Sequence, residues 1–197
     1  YIMLNNGDVC YLHLITDAYS RKIVGWELAD TLRASITIKA LEQAISQTGG
    51  VSLEGLIHHS DRGVQYCCDD YVRTLQTHKI KISMTEDYNP TDNAIAERAN
   101  GVIKTETVYS RKTFNSLEHA RNVIGRFIHF YNYRRPHMSI GYKIPAVVHT
   151  ETGAQKKMWK KKNYTKKMYN NENNGISLPC RTTGEDDGCN HHTVYSI

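Results

Sequence analysis

Residues 9–29 read VCYLHLITDAYSRKIVGWELA, two β-rich runs separated by a polar turn. The first run, residues 9–16, follows Asn5-Asn6-Gly7-Asp8, a strong hairpin signal because asparagine and glycine accept the positive φ angles of tight turns. The second run, residues 22–29, follows the turn at residues 17–21. The pattern predicts an antiparallel meander whose first strand is residues 1–4. Because the chain begins inside that strand, we expect further residues upstream of Tyr1.

Downstream of the meander, short β-rich runs alternate with segments of helical periodicity. The predicted strands are residues 56–59 and residues 80–83. The predicted helices cover residues 34–47 and 68–78, a segment capped by Asp92 or Asn93 that ends near Thr107, and a longer segment that begins at Ser116 and that Pro136 ends. This order predicts an α/β fold with a mixed sheet and helices on its faces.

The composition is that of a globular protein. The chain has 197 residues, 40% hydrophobic and 23% charged, which excludes a collagen, a coiled coil and a wholly disordered chain. The sequence shows neither an apolar run of the ~20 residues that a membrane helix needs nor a secretory leader, so we expect no membrane partner. The five cysteines are scattered, which favours a reducing, cytoplasmic location over a disulfide framework.

The charge is unevenly distributed. Basic residues outnumber acidic ones by 25 to 20, a net charge of +5 that mildly favours a polyanionic partner. After about Glu151 the apolar periodicity stops, and residues 155–169 hold seven lysines and no acid. This cluster is either a solvated tail or a contact for phosphates. We expect a catalytic unit over residues 1–150 and a basic C-terminal extension, partly disordered, over residues 151–197.

Two acidic residues stand out by position. Asp61 follows a predicted strand and precedes Gly63, where the chain can turn sharply, and Glu97 lies in the first turns of a predicted helix. Carboxylates placed in this way can converge on one cavity and share a cation. Mg²⁺ fits such a pair because it binds a few carboxylates and keeps its other positions for water and phosphate oxygens. From composition alone, an ordinary solvated surface is the more common explanation for such an Asp and Glu.

The surroundings of these residues carry a resemblance. Asp61 lies in HHSDRGVQY (residues 58–66), Glu97 lies in DNAIAER (residues 92–98), and 35 residues separate them. The accompanying segments are ITDAYSRKIVGW (residues 15–26), YNYRRPH (residues 131–137), and Gly141-Tyr142 with Pro145-Ala146. Over about residues 1–149 the chain resembles the DDE transposase and retroviral integrase superfamily, in particular transposases of bacterial insertion elements with an integrase catalytic core.

The resemblance implies a ribonuclease H-like fold, a five-stranded mixed sheet flanked by helices. It implies metal-dependent DNA cleavage and strand transfer, with Asp61 and Glu97 as catalytic residues that bind Mg²⁺ or Mn²⁺. A metal-activated water would release a 3′-hydroxyl, which would attack a target phosphodiester. The family's third carboxylate, an Asp on the first strand, falls three residues before Tyr1, so we expect this chain to lack one ligand and to be inactive by itself. Asp17 is a candidate replacement, but in the family it matches a structural acid in a turn; Asp8 is a weaker one.

The resemblance also implies DNA as the partner (element ends and target), a homo-oligomer on that DNA, and a cytoplasmic, nucleoid-associated location. Lys104 lies seven residues after Glu97, on nearly the same helix face, and is expected to contact a phosphate; the alternative is a partner for acids such as Glu106. Gly101 either allows a close backbone approach or weakens the helix. Three residues are expected either to contact phosphates or to cap the preceding helix: Arg134, Arg135 and His137.

Other candidates are weaker. His58 and His59 are adjacent on a strand, so at most one faces the site, and we expect structural or supporting roles for them. Zinc is weakly indicated by the vicinal pair Cys67-Cys68 and by a set in the tail, Cys180, Cys189, His191 and His192.

Two alternative functions stay open. The chain could be a catalytically incomplete fragment that binds DNA or assembles on it without cutting. It could also be another ribonuclease H-like nuclease, acting on RNA–DNA hybrids or junctions, because fold does not determine function. The transposase-like motifs around Asp61 and in residues 131–137 argue against this second alternative.

Overall fold

The computed structural model describes residues 1–85, 94–108, 114–156, 158 and 193–196. The strands are β1 (Ile2–Met3), β2 (Val9–Asp17), β3 (Ile23–Ala29), β4 (Ile57–Ser60), β5 (Lys81–Met84) and β6 (Thr193–Ser196). The helices are α1 (Ala34–Ser46), α2 (Asp69–Thr77), α3 (Ala94–Ile103), α4 (Leu117–Tyr133) and α5 (Pro145–Val148). A π-helical turn, Lys104–Val108, continues α3, and a 3₁₀ turn, Met138–Ile140, precedes α5. Within these ranges, no helix has the length and apolar character to cross a membrane.

The sheet consists of two halves joined by β6. β1 and β3 pair antiparallel with β2, and β4 pairs parallel with β5. β6 lies between the halves, antiparallel to β2 and parallel to β4. It lies on the edge of β2 opposite β3, because both strands pair with Ile15 and Thr16. β1 is on the same edge as β6: the Asp8 carbonyl accepts from Leu4 and the Asp17 N–H donates to Lys22, and residues an odd number apart direct their backbone groups to opposite edges. Ile2 faces Cys10 near the start of β2, and Ser196 faces Ile15 near its end. We call this edge position between β2 and β4 the central lane.

Most predicted elements are present, within a few residues. The meander and the mixed parallel and antiparallel pairing agree with the sequence, but the expected five-stranded sheet is not confirmed: three antiparallel strands and two parallel strands are linked by a sixth. That sixth strand, β6, comes from the segment predicted to be an extension. The helix cap predicted at Asp92 or Asn93 lies outside the described residues.

Buried side chains cover both faces of the sheet because neighbours along a strand point to opposite sides. Leu14 of β2 belongs to a cluster that includes Ile103 at the end of α3 and Ile124 of α4. Ile15, the next residue, belongs to a second cluster that includes Leu41 of α1 and Leu75 of α2. The sheet is therefore the middle layer, with α1 and α2 on one face and α3 and α4 on the other.

Polar and small residues fix how the helices cross the strands. Asn132 of α4 accepts a hydrogen bond from the Ile23 N–H through Oδ1 and donates one to the Ile23 carbonyl through Nδ2, both at 2.9 Å. These bonds satisfy two buried backbone groups of β3, which would otherwise be costly. On the other face, Gly25 lies against α1, where a Cβ would overlap the carbonyl oxygen of Ala40. Both contacts set the layer spacing around β3.

Candidate active site

Asp61 is the first residue after β4, and its side chain is half-buried. Its Oδ1 accepts a hydrogen bond from the Gly63 N–H at 2.9 Å, which closes the turn after the strand. A Cβ at position 63 would lie 2.9 Å from that same oxygen and closer still to the Gln65 amide, so a larger residue would disturb the turn. Glycine therefore lets the chain turn sharply while Asp61 stays at the C-terminal end of β4, where the sequence predicted it.

Glu97 is an exposed residue in the first turn of α3, and it borders a cavity of about 540 Å³. The other charged residues along this cavity are Arg98, Glu106 and Arg135. Gly101 also lines it, and no described atom lies within 4 Å of the place where its Cβ would be. A close backbone approach at Gly101 is therefore not confirmed in the described part of the structure.

Asp61 and Glu97 are not shown around one centre. Asp61 is absent from the described lining of the cavity that Glu97 borders, and residues 86–93, between β5 and α3, lie outside the described residues. Across the described ranges, no three His, Cys, Asp or Glu side chains group closely enough to hold a metal ion. The shared metal site stays a prediction.

Lys104 begins the π-helical turn and is half-buried. It is not among the described residues that line the cavity beside Glu97. The alternative partner predicted for it, Glu106, instead pairs with Arg135.

Arg135 is held in place by several groups. Its Nη2 donates to Glu106 Oε1 at 2.6 Å, and its Nε lies 3.2 Å from both oxygens of that carboxylate. Its guanidinium also lies 6.0 Å from the ring centre of Tyr131. Arg134 is exposed and is the C-cap of α4, where its N–H donates to the Phe130 carbonyl at 2.8 Å. The backbone of Arg134 thus provides the helix cap, while its side chain reaches solvent.

Asp17 ends β2 and is buried in the turn that leads to β3. Its Oδ2 accepts hydrogen bonds from the Ser20 N–H, at 2.9 Å, and the Ser20 hydroxyl, and it lies 3.2 Å from His149 Nδ1. Burial alone would raise the pKa of Asp17, but the bonds from His149 and Ser20 outweigh it and the pKa is lowered. This geometry agrees with the structural interpretation of Asp17.

His58 and His59 bond to different neighbours. Buried His58 shares a hydrogen bond of 2.9 Å between its Nε2 and the Tyr71 hydroxyl of α2, and burial lowers its pKa to about 4. His59 Nδ1 lies 2.9 Å from Ser83 Oγ of β5. Both contacts agree with structural roles. The tail residues suggested for zinc lie outside the described residues.

Arg98 was not among the predicted site residues, and Glu106 was considered only as a possible partner of Lys104. Arg98 directly follows Glu97, and Glu106 lies farther along the same predicted helix. Both could therefore be recognised in the sequence as charged residues near the site. Their meeting with Arg135 depends on how the π-helical turn lies against the end of α4, which no local pattern encodes.

Comparison with known proteins gives consistent matches. Two family models, both described as Integrase core domain, match residues 1–90 and residues 78–145. A Mycobacterium tuberculosis protein named for the transposase of insertion sequence element IS986/IS6110 is 35% identical over 149 residues, which are 74% of this chain and 54% of that protein. The transposase for insertion sequence element IS904 of Lactococcus lactis is 32% identical over 146 residues, covering 74% of this chain and 56% of that protein. The chain thus spans about half the length of these relatives.

Solved structures show the same fold. A simian T-cell lymphotropic virus intasome, in complex with a PP2A regulatory subunit, matches with a TM-score of 0.62 and 19% identity, over 82% of this chain and 55% of that chain. The HTLV-2 integrase catalytic core domain in complex with magnesium matches with a TM-score of 0.52 and 22% identity, over 70% of this chain and 83% of that chain. At these identities, the likeness concerns the fold alone.

Proposed function

The chain belongs to the integrase core domain family, and on that premise we propose that it is the catalytic core of an insertion-element transposase, which cleaves DNA and transfers strands with divalent metal ions. Asp61 and Glu97 are its proposed catalytic residues, and the third carboxylate is the Asp expected three residues before Tyr1.

The register of the central lane is the observation that supports this proposal most strongly. Ile2 faces Cys10 and Met3 faces Val9, so each step upstream in β1 moves one residue along β2. An Asp three residues before Tyr1 would therefore face Leu14. In the adjoining strands Ile15, Ser196 and Ser60 share one row, and the same register continued by one residue would place Leu14 and Asp61 in the next row. An upstream continuation of β1 would thus bring its Asp beside Asp61.

The donor chemistry of the two residues fits the metal. Carboxylate oxygens are the ligands that Mg²⁺ and Mn²⁺ prefer. Asp61 uses Oδ1 for the Gly63 N–H, which orients the carboxylate and leaves Oδ2 for a cation. Exposed Glu97 forms no ion pair with any described residue. When bound, the ions activate water and stabilise the attacking and leaving oxygens of the phosphoryl transfer.

The proposed partner is DNA, bound by an oligomer of this chain. Arg134 projects from the end of α4 into solvent, where it can meet a phosphate, and Lys104 lies on the continuation of the helix that carries Glu97. Arg135 is paired with Glu106 in this structure, so it can contact a DNA phosphate only if that ion pair breaks.

The test uses a chain extended upstream by a strand that carries Asp three residues before Tyr1. Strand cleavage and joining of element-end DNA are measured with Mg²⁺ and with Mn²⁺. We expect Asp61→Asn, Glu97→Gln and Asn in place of the upstream Asp each to reduce the rate about a thousandfold or more, because each removes a metal ligand. Glu42→Gln, on the exposed side of α1, is the matched control and should retain full activity.

Activity that survives Asp61→Asn or Glu97→Gln would refute the proposed catalytic residues. DNA binding without cleavage in the extended chain would favour the assembly module, and preferential cleavage of RNA–DNA hybrids would favour another ribonuclease H-like nuclease.

A further inference from the structure

The cavity beside Glu97 has an unusual concentration of charge. Its wall includes two guanidinium groups, Arg98 and Arg135, and two carboxylates, Glu97 and Glu106. A volume of about 540 Å³ is within the range of ligand sites. The residues come from two parts of the chain, the helix that begins at Ala94 and the segment after α4, so the cavity exists only in the folded molecule.

One carboxylate of this cavity forms an ion pair with one of its arginines. Glu106 faces the Arg135 guanidinium with both oxygens, the bidentate geometry that guanidinium groups also use for phosphates. Both side chains retain some solvent exposure, 25% for Arg135 and 37% for Glu106, so an incoming anion can reach this pair. Because solvent still reaches this pair and screens it, an anion with more favourable contacts can replace Glu106.

Arg98 has no such partner among the residues that the structure describes. It is exposed, and no described carboxylate lies within ion-pair distance of it. Neighbouring His137 reports the local field: burial, followed by the charges of Arg135, Arg21 and Arg98 in that order, lowers its pKa to about 4, and Glu106 opposes them. Three guanidinium groups therefore contribute positive charge to this region, and the negative charge of Glu106 opposes them. The other carboxylate of the cavity, Glu97, binds metal in the proposed function.

We propose that this cavity is an anion site that takes a phosphodiester group of the DNA backbone, with Arg98 and Arg135 as its ligands and Glu106 as the carboxylate that holds Arg135 until the phosphate arrives. The inference rests on the proposed function for the identity of the anion, because DNA brings phosphodiesters to Glu97. A phosphate held one residue from Glu97 would fix the strand in register with the metal-binding carboxylates.

The first experiment titrates the full chain with inorganic phosphate at constant ionic strength, without divalent metal, and follows the arginine Nε–H signals by NMR. We expect Arg98→Gln to weaken binding about tenfold and Glu106→Gln to strengthen it several-fold, because the first variant removes a charged ligand and the second removes a competing carboxylate. Arg126→Gln, an exposed arginine of α4 outside the cavity, is the matched control and should bind like the parent chain.

The second experiment measures the affinity of the same variants for a short DNA duplex over a range of salt concentrations. Loss of one phosphate contact in Arg98→Gln should reduce the slope of log affinity against log salt by about 1. If Arg98→Gln weakens phosphate binding but leaves duplex affinity unchanged, the site serves a small free anion and the DNA assignment is wrong. Unchanged phosphate binding in Arg98→Gln, or an equal loss in Arg126→Gln, would overturn the site itself.

These outcomes are independent of catalysis. Anion binding that persists in Asp61→Asn while cleavage shows no dependence on Asp61 would remove the proposed function and leave the anion site intact. Cleavage that depends on Asp61, together with phosphate and DNA binding that does not depend on Arg98, would support the proposed function and remove the anion site.

Discussion

At the scale of single residues, Asp17 shows how a buried carboxylate can serve the fold. The bonds from His149 and Ser20 lower its pKa below the ordinary value of 3.8 despite its burial. Ionised Asp17 therefore stabilises the native state at pH values above the pKa in the unfolded chain. That stabilisation is lost as the pH falls through the lower pKa in the folded chain.

Asp17→Asn should accordingly cost about 2 kcal/mol of unfolding free energy near pH 7, the usual loss for charge-assisted hydrogen bonds. The difference from the parent chain should shrink as the pH falls below about 4. Urea unfolding at several pH values measures it, with Asp69→Asn, an exposed residue of α2, as control. A difference that is equally large at pH 6 and pH 3 would show that the charge of Asp17 is not the cause.

The sequence was informative about residues whose role is local. Asp61 was predicted at the end of a strand because the strand and the turn at Gly63 adjoin it in the chain. The pairing of Glu106 with Arg135 escaped prediction because the partners are 29 residues apart. Charge pairs between distant segments depend on packing, and a pattern of one-dimensional spacing does not contain that information.

At the scale of elements, two glycines differ in whether a neighbouring helix leaves room for a side chain. Gly25 of β3 faces α1, where a Cβ would overlap the Ala40 carbonyl and lie 3.0 Å from the Cβ of Ala44. Gly101 lies within α3, where no described atom comes within 4 Å of the place of a Cβ. The first glycine is required by the contact between helix and sheet, whereas the second only lowers helix propensity.

Gly25→Ala should therefore destabilise the chain by about 3 kcal/mol, because α1 must move away from the sheet. Gly101→Ala should stabilise it by up to about 1 kcal/mol through helix propensity. Thermal and urea unfolding of the two variants, side by side, checks both signs. A neutral Gly25→Ala would mean that α1 does not pack on β3 as described.

Elements whose apolar residues repeat with a clear helical or strand period were predictable from the sequence. Elements that form only through pairing or packing with distant segments were not. α4 was expected from its apolar stripe, and its N-cap, Ser116, accepts a hydrogen bond from the His119 N–H as such caps do. The change from α3 to a π-helical turn at Lys104 was not expected, because a continuous helix satisfies the same sequence pattern. β6 was missed because its pairing with β2 and β4 joins segments that are far apart in the sequence, which no local pattern encodes.

At the scale of the whole molecule, the sheet depends on what occupies the central lane. β6 provides the backbone hydrogen bonds that connect β2 with β4; among the described strands, no other pairing joins these halves. The register also shows that an upstream continuation of β1 would reach Ile15–Asp17, where β6 lies now. One lane therefore has two candidate strands, and under the proposed function the upstream one would bring the third carboxylate next to Asp61.

Val194→Pro tests this competition, because Val194 pairs with Asp17 on one side and His58 on the other and proline removes its N–H. In the present chain we expect amide exchange in β4 to accelerate about tenfold or more in native-state hydrogen exchange. Val194→Ala keeps the N–H and should change little. In a chain extended upstream, the continuation of β1 is covalently adjacent to the lane and should displace β6, so Val194→Pro should then have no effect. Equal acceleration in both chains would mean that β6 stays between β2 and β4 even in the extended chain. A catalytic centre with the upstream Asp could then not form in the row of Asp61.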